Sequence, residues 1–298
     1  MSEYGDLQRS LARGWNTWNT RSMLSHVLLP DGFALTLTLR DPRSGAYLKE
    51  ALMRRPGPDV PDVRPGAHAY DGSYTALRLH WKDVAVEVRT ATDGDEWVAH
   101  VTPLSRQRLP ARLVVESGML WNHPGQLARV EDRLEARLPG RTIAVYGVGA
   151  GTSEPHAPTQ TPYLAYALSE PIGLSTGRRR NLSEITALVA RRAAEQEARA
   201  RRYGDLAEVH RAIQGCLAWD TIWEPEKERV VSPVARAWNV NWGGFALFCW
   251  DTYFAAYIAS LDSRELAYAN AVEITREATE RGFVPNFATR DDIRSRDR

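Results

Sequence analysis

Between residues 24 and 177 the apolar side chains recur at every second position, and after residue 180 they do not. That change of period constrains the fold more than any other feature of the chain. Phe33, Leu35, Leu37 and Leu39 alternate with small or polar residues, as do Leu77, Leu79 and Trp81, then Val84, Val86 and Val88. Successive side chains on a strand point to opposite faces, so this spacing predicts strands with one buried face. Turn residues separate them: Pro30-Asp31-Gly32, Ser44-Gly45, Lys82-Asp83, Asp93-Gly94-Asp95 and Pro139-Gly140. Further strands are expected near 97–103, 111–117, 126–137, 141–148 and 163–168. Many short strands at close spacing indicate an antiparallel β-sandwich.

Beyond Arg180 the texture is helical. Asn181 or Ser183 can cap a helix with Glu184 in its first turn, and the Ala/Glu/Arg-rich run to Arg202 reads as a largely solvated connecting helix. A second helix is expected from about Leu206 to Trp219, with later ones over 250–261 and 263–281. The intervening segment WEPEKERVVSPVARAWNVNWGG carries too much Pro, Gly and Asn for regular structure. The expected class is α+β with two domains: a sandwich over 1–180, a connecting helix over 181–203, and a helical domain from 204 to 298. Three or four helices supply too little apolar surface to bury their own stripes, and the sequence ends in the polar run RDDIRSRDR. Truncation is the expectation.

A formal charge of +1 gives no global argument for nucleic acid or an anionic membrane as partner. Arg178-Arg179-Arg180 and Arg191-Arg192 have acidic residues interleaved nearby, as on a solvated face. No apolar run reaches the roughly 18 residues of a membrane span, and MSEYGDLQRSLARG lacks the apolar core of a signal peptide. Cys216 and Cys249 do not make a disulfide framework, which fits a reduced cytoplasm. With no CxxC, no HExxH, no Gly-rich phosphate loop and scattered histidines, neither a metal nor a cofactor is expected.

Five of the ten tryptophans fall between 219 and 250, mixed with Arg236, Asn239, Asn241 and Asp251. They read either as a core or as a carbohydrate site, in which flat rings meet the apolar face of a sugar and polar groups its hydroxyls. Asp251 is the one charged residue in WGGFALFCWDTYFAAYIASL. It would either cap the helix that follows or act as a general acid, its pKa raised by the aromatic neighbours. Composition leaves those roles even. Asp220, in a second Trp-Asp-Thr tripeptide, reads as a hydrogen-bonding group near a helix end.

A resemblance separates the two roles. Trp250-Asp251-Thr252-Tyr253-Phe254-Ala255-Ala256 resembles the WDT(W/Y/F)xxA element of glycoside hydrolase family 63 and its mannosylglycerate-hydrolase-like relatives. Val231-Ser232-Pro233 with Arg236 and Trp238 resembles the aromatic loop before that element. Gly282-Phe283-Val284-Pro285-Asn286 resembles GFVP(N/D), and GWNTWNTRSMLSHVLLPDG the opening of bacterial members.

The resemblance implies a β-sandwich on an (α/α)6 toroid and inverting hydrolysis of an α-linked glucoside or mannoside. Asp251 would be the general acid. Inversion needs two carboxyl groups about 6.5–9.5 Å apart. The implied base is a Glu far downstream, for which this sequence has no counterpart; Glu265, Glu273, Glu277 and Glu280 do not match it. As given, the chain is therefore expected to be inactive alone. Trp238, Asn239, Trp242 and Trp250 would form the sugar wall, with Arg236 orienting a hydroxyl or carboxylate. Asn286, Trp15 and Trp18 would add contacts, and Asp297 and Arg298 are weaker candidates. His26 reads as structural. The alternatives are a sugar-binding or degenerate module without chemistry, and a sugar epimerase. The second is disfavoured because no His follows residue 210 to act as its acid or base.

Overall fold

The computed structural model describes residues 3–52, 60–104, 111–236 and 245–289. In chain order the first half contains α1 (Glu3–Leu11), β1 (Gly14–Asn16), β2 (Ser25–Leu29), β3 (Phe33–Arg40), β4 (Tyr47–Leu48), β5 (Asp62–His68), β6 (Tyr74–Trp81) and β7 (Val84–Asp93). It continues with β8 (Glu96–Pro103), β9 (Arg112–Met119), β10 (Gln126–Val130), β11 (Arg133–Leu138), β12 (Arg141–Val148), β13 (Tyr163–Ala167) and β14 (Ile172–Thr176). These strands form two antiparallel sheets. One runs β1-β2-β3-β9-β13 with β4 on β3; the other runs β10-β11-β12-β14-β8-β7-β6-β5.

The alternating residues are the ones that meet between the sheets. Phe33, Leu35, Leu37 and Leu39 face Leu77, Leu79, Trp81, Val84, Val86 and Val88 in one buried cluster. Each such side chain contributes roughly 1.5–3 kcal/mol on leaving water. The stretch expected as one strand over 126–137 is a hairpin, β10 and β11, turned at Glu131-Asp132.

After the sandwich come α2 (Leu182–Arg201), α3 (Ala207–Asp220), β15 (Ile222–Glu224), β16 (Arg229–Val231), β17 (Ala246–Phe248), α4 (Cys249–Ala259), α5 (Arg264–Arg276) and β18 (Phe287–Thr289). Asn181 caps α2: its side chain accepts from Glu184 N, while Glu184 accepts from Asn181 N. The connecting helix is solvated on one side and packed on the other. Ile185, Leu188 and Val189 bury against Tyr74, Ala91 and Val98 on the outer face of the eight-stranded sheet. The Pro-rich segment also holds regular structure, because Val230 and Val231 pair with Trp223 and Ile222.

The six-stranded sheet has its outer face covered too. Val27, Leu29 and Ala34 pack with Trp18, Trp223, Val230, Ala259 and Leu266. That second core seats the β15–β16 hairpin and the α4–α5 pair on the sandwich. No helix among the described residues is long and apolar enough to cross a membrane.

Candidate functional site

Strands β17 and β18 bring two of the sequence elements together. Leu247 pairs with Ala288 and Phe248 with Phe287, and Cys249 N donates to Asn286 O at 2.9 Å. The strand before Trp250-Asp251-Thr252 therefore lies beside the residues that follow Gly282-Phe283-Val284-Pro285. Helix α4 starts directly from this pair, with Asp251 in its first turn. Thr252, Ala256 and Ala259 form the buried side of the helix. The opposite side is aromatic and open: Trp250 is 67% exposed, Phe254 64% and Tyr257 74%. A hollow of about 420 Å³ lies among Cys249, Trp250, Tyr253, Phe254 and Tyr257.

Two expectations for Asp251 need correction. Its side chain is exposed, because the neighbouring rings project outward with it and do not close over it. Nor does it cap the helix. The helix begins two residues before Asp251, and the N-cap is Phe248, which makes no side-chain cap bond. A carboxylate in a first turn still interacts favourably with the helix dipole. Asn286 is exposed and contributes its carbonyl to the start of α4. Trp238, Asn239 and Trp242, with Asp297 and Arg298, lie outside the described residues.

Arg236, Trp15 and Trp18 belong to the interior, not to an open sugar wall. The tandem Trp-Asn-Thr segment sends Trp15 into the sandwich core and Trp18 into the second core. Between them, Thr17 and Asn19 offer main-chain carbonyls to Arg236. The Arg236 guanidinium is buried and donates to Thr17 O and Trp219 O, and to Asn19 O at 2.9 Å. Burial lowers its pKa to about 10, against the opposing pull of Asp220. With Nε and Nη1 committed to backbone carbonyls and Nη2 to the Thr17 hydroxyl, Arg236 fastens the β-domain loop to the C-terminal end of α3.

Two groups around this knot were not singled out as functional from the sequence. His68 Nδ1 lies 2.6 Å from Ala69 O, which only accepts, and its Nε2 lies 2.7 Å from Thr17 Oγ1. Burial, then Arg236, lowers the His68 pKa to about 3; burial, then His68 and Arg236, does the same to His26, whose ring tilts on Trp97. Asp220 ends α3, and burial raises its carboxyl to about 6 despite the charge of Arg236. The repeated Trp-Asp-Thr tripeptide was the one visible signal for Asp220. Its two copies differ: Trp219 is buried in the sandwich core and donates to Gly66 O, whereas Trp250 stands in solvent.

Among the described residues no group of three or more His, Cys, Asp and Glu side chains is placed to hold a metal ion. No family profile matches the chain. No curated protein matches it either. A solved structure described as a gh92 family glycosyl hydrolase, ccman5, is similar at 12% identity with a TM-score of 0.30; the match covers 72% of this chain. The chain spans about 40% of that protein's length. At that TM-score the likeness carries no argument for this chain.

Proposed function

We propose that this chain carries the proton-donor half of an inverting glycoside hydrolase acting on an α-linked glucoside or mannoside, with Asp251 as the general acid. The reading divides the chain into a sandwich over 1–180, a linking helix over 181–203 and the start of a catalytic helical domain from 204. What supports it is the pairing of β17 with β18. That pairing joins the WDT and GFVPN elements and sets Asp251 beside an open aromatic surface. Trp250 supplies an indole face for a sugar ring, and Asn286 a polar edge. In the sequence Trp238, Asn239 and Trp242 follow within six residues of Arg236, the group that fastens the β-domain loop. General acid catalysis by a positioned carboxyl contributes about 10²–10⁴ in rate, provided water is excluded from it. Asp251 as described is open, so the reading requires a further layer over α4.

The exposure of Asp251 favours a second reading, a sugar-binding module without chemistry. Both readings predict that methyl α-glucoside or methyl α-mannoside binds this chain. Replacing Trp250 by Ala should then weaken binding roughly tenfold, since stacking on one ring is worth about 0.5–1.5 kcal/mol beyond its area. Hydrolysis of an α-linked disaccharide separates the two. It is assayed on the longest natural polypeptide that carries this sequence, with and without Asp251→Asn. Loss of turnover with retained binding supports the acid role; absence of turnover in the parent protein supports the binding module.

A further inference from the structure

A cavity of about 530 Å³ lies away from α4, between α1, the turn at Pro30, the β15–β16 hairpin and α5. Its polar wall is built on Arg229, whose side chain is 4% exposed. Three buried carboxylates hold that guanidinium from one side. Nε donates to Glu224, and Nη1 lies 2.9 Å from Glu273 and 2.8 Å from Glu277. Those acids are themselves committed: Glu273 accepts from Tyr4 at 2.5 Å and Arg276 at 2.8 Å, and Glu277 from Lys227 at 2.5 Å. Gln8 ties α1 to the hairpin, accepting from Val230 N at 2.8 Å and donating to Tyr4.

The remaining nitrogen of Arg229, Nη2, has no acceptor among the described residues, although Arg229 lines the cavity. Arg13, on the same wall just after α1, also has no partner among them. Nη2 is not among the fully buried unpartnered atoms, so this edge of the guanidinium reaches the cavity space. The unspent groups facing this space are therefore N–H donors; the one uncommitted acid on the lining, Glu228, is exposed in a turn. Trp223 and Pro30 give the cavity an apolar side. Fixed donors beside an apolar wall suit a charged oxygen group on a compact body, because a guanidinium fork matches carboxylate or phosphate geometry.

We propose that this cavity binds a small oxyanion, a carboxylate or phosphate group on a compact body, received by Arg229 and Arg13. This site is independent of Asp251 and shares no lining residue with the hollow over α4.

The test is calorimetric titration of the chain with sodium succinate and with sodium phosphate, against sodium chloride at matched ionic strength. Arg13→Gln is the informative variant, since its exposed side chain leaves the fold intact, and Arg21→Gln is the charge-matched control. The expected result is saturable binding of at least one anion, about tenfold weaker in Arg13→Gln and unchanged in Arg21→Gln. Succinate without phosphate assigns the group as a carboxylate, and the reverse as a phosphate. No saturable heat with either anion, or an equal loss in both variants, overturns the proposal.

Discussion

His68 is held as the Nδ1–H tautomer, because Ala69 O can only accept; its Nε2 must then accept from the Thr17 hydroxyl. A second ring proton, on Nε2, would force the Thr17 hydroxyl to turn from donor to acceptor, and burial disfavours the charge. The folded-state pKa values of His26 and His68, about 3, lie below the ordinary value. Below about pH 6.5 the unfolded chain therefore binds more protons than the folded one. Stability present above that pH is lost as pH falls toward 3, on the order of 1 kcal/mol per pH unit for each histidine. Asp220 has the opposite sign. Its folded value is raised to about 6, so its contribution is full below about pH 4 and lost as pH rises through 6. Urea midpoints at pH 7, 6 and 5 should fall, and His26→Leu should flatten the decline; an unchanged slope in that variant contradicts the assignment. Arg236→Met strands the carbonyls of Thr17 and Trp219 and should cost about 3 kcal/mol or more in the same assay. None of this could be read from GWNTWNTR. The repeat signals a constrained segment, but which core each tryptophan enters depends on sheets formed by residues far away.

At the scale of elements, the period-two runs were legible because one face of each strand meets the opposite sheet. Helix α2 was legible as a helix but not as a packed one. Its buried Ile185, Leu188 and Val189 are close together near its start, and the long Ala/Glu/Arg tail hides them. Ile185→Ala should cost about 2–5 kcal/mol by opening a cavity against the eight-stranded sheet. Asn181→Ala should cost about 1 kcal/mol by removing the capping box. Chemical denaturation ranks the two, and equal effects would mean that α2 is held by its cap alone. The β15–β16 hairpin was not legible: strands of three residues carry too few alternations to show a period, and Pro, Gly and Asn dominate the surrounding segment.

For the whole molecule, the sandwich serves as a platform, with α2 on one outer face and the hairpin and α4–α5 on the other. Asp251 and Asn286 were legible as site candidates because they sit in short motifs. Arg236, Trp15 and Trp18 were legible only as polar and aromatic groups, since the sequence does not distinguish a ring facing sugar from one facing core. The exposure of Trp250, Phe254 and Tyr257 is the feature most in need of a ligand or covering surface, because exposed apolar patches mark interaction sites. The most direct measurement is leaving-group dependence in Asp251→Asn, on the longest natural polypeptide containing this chain. An α-linked disaccharide, whose departing oxygen must be protonated, should lose about 10²–10⁴ in kcat/KM, while the corresponding α-glycosyl fluoride loses far less. Equal losses on both substrates, or undiminished disaccharide hydrolysis, would contradict a proton donor at Asp251.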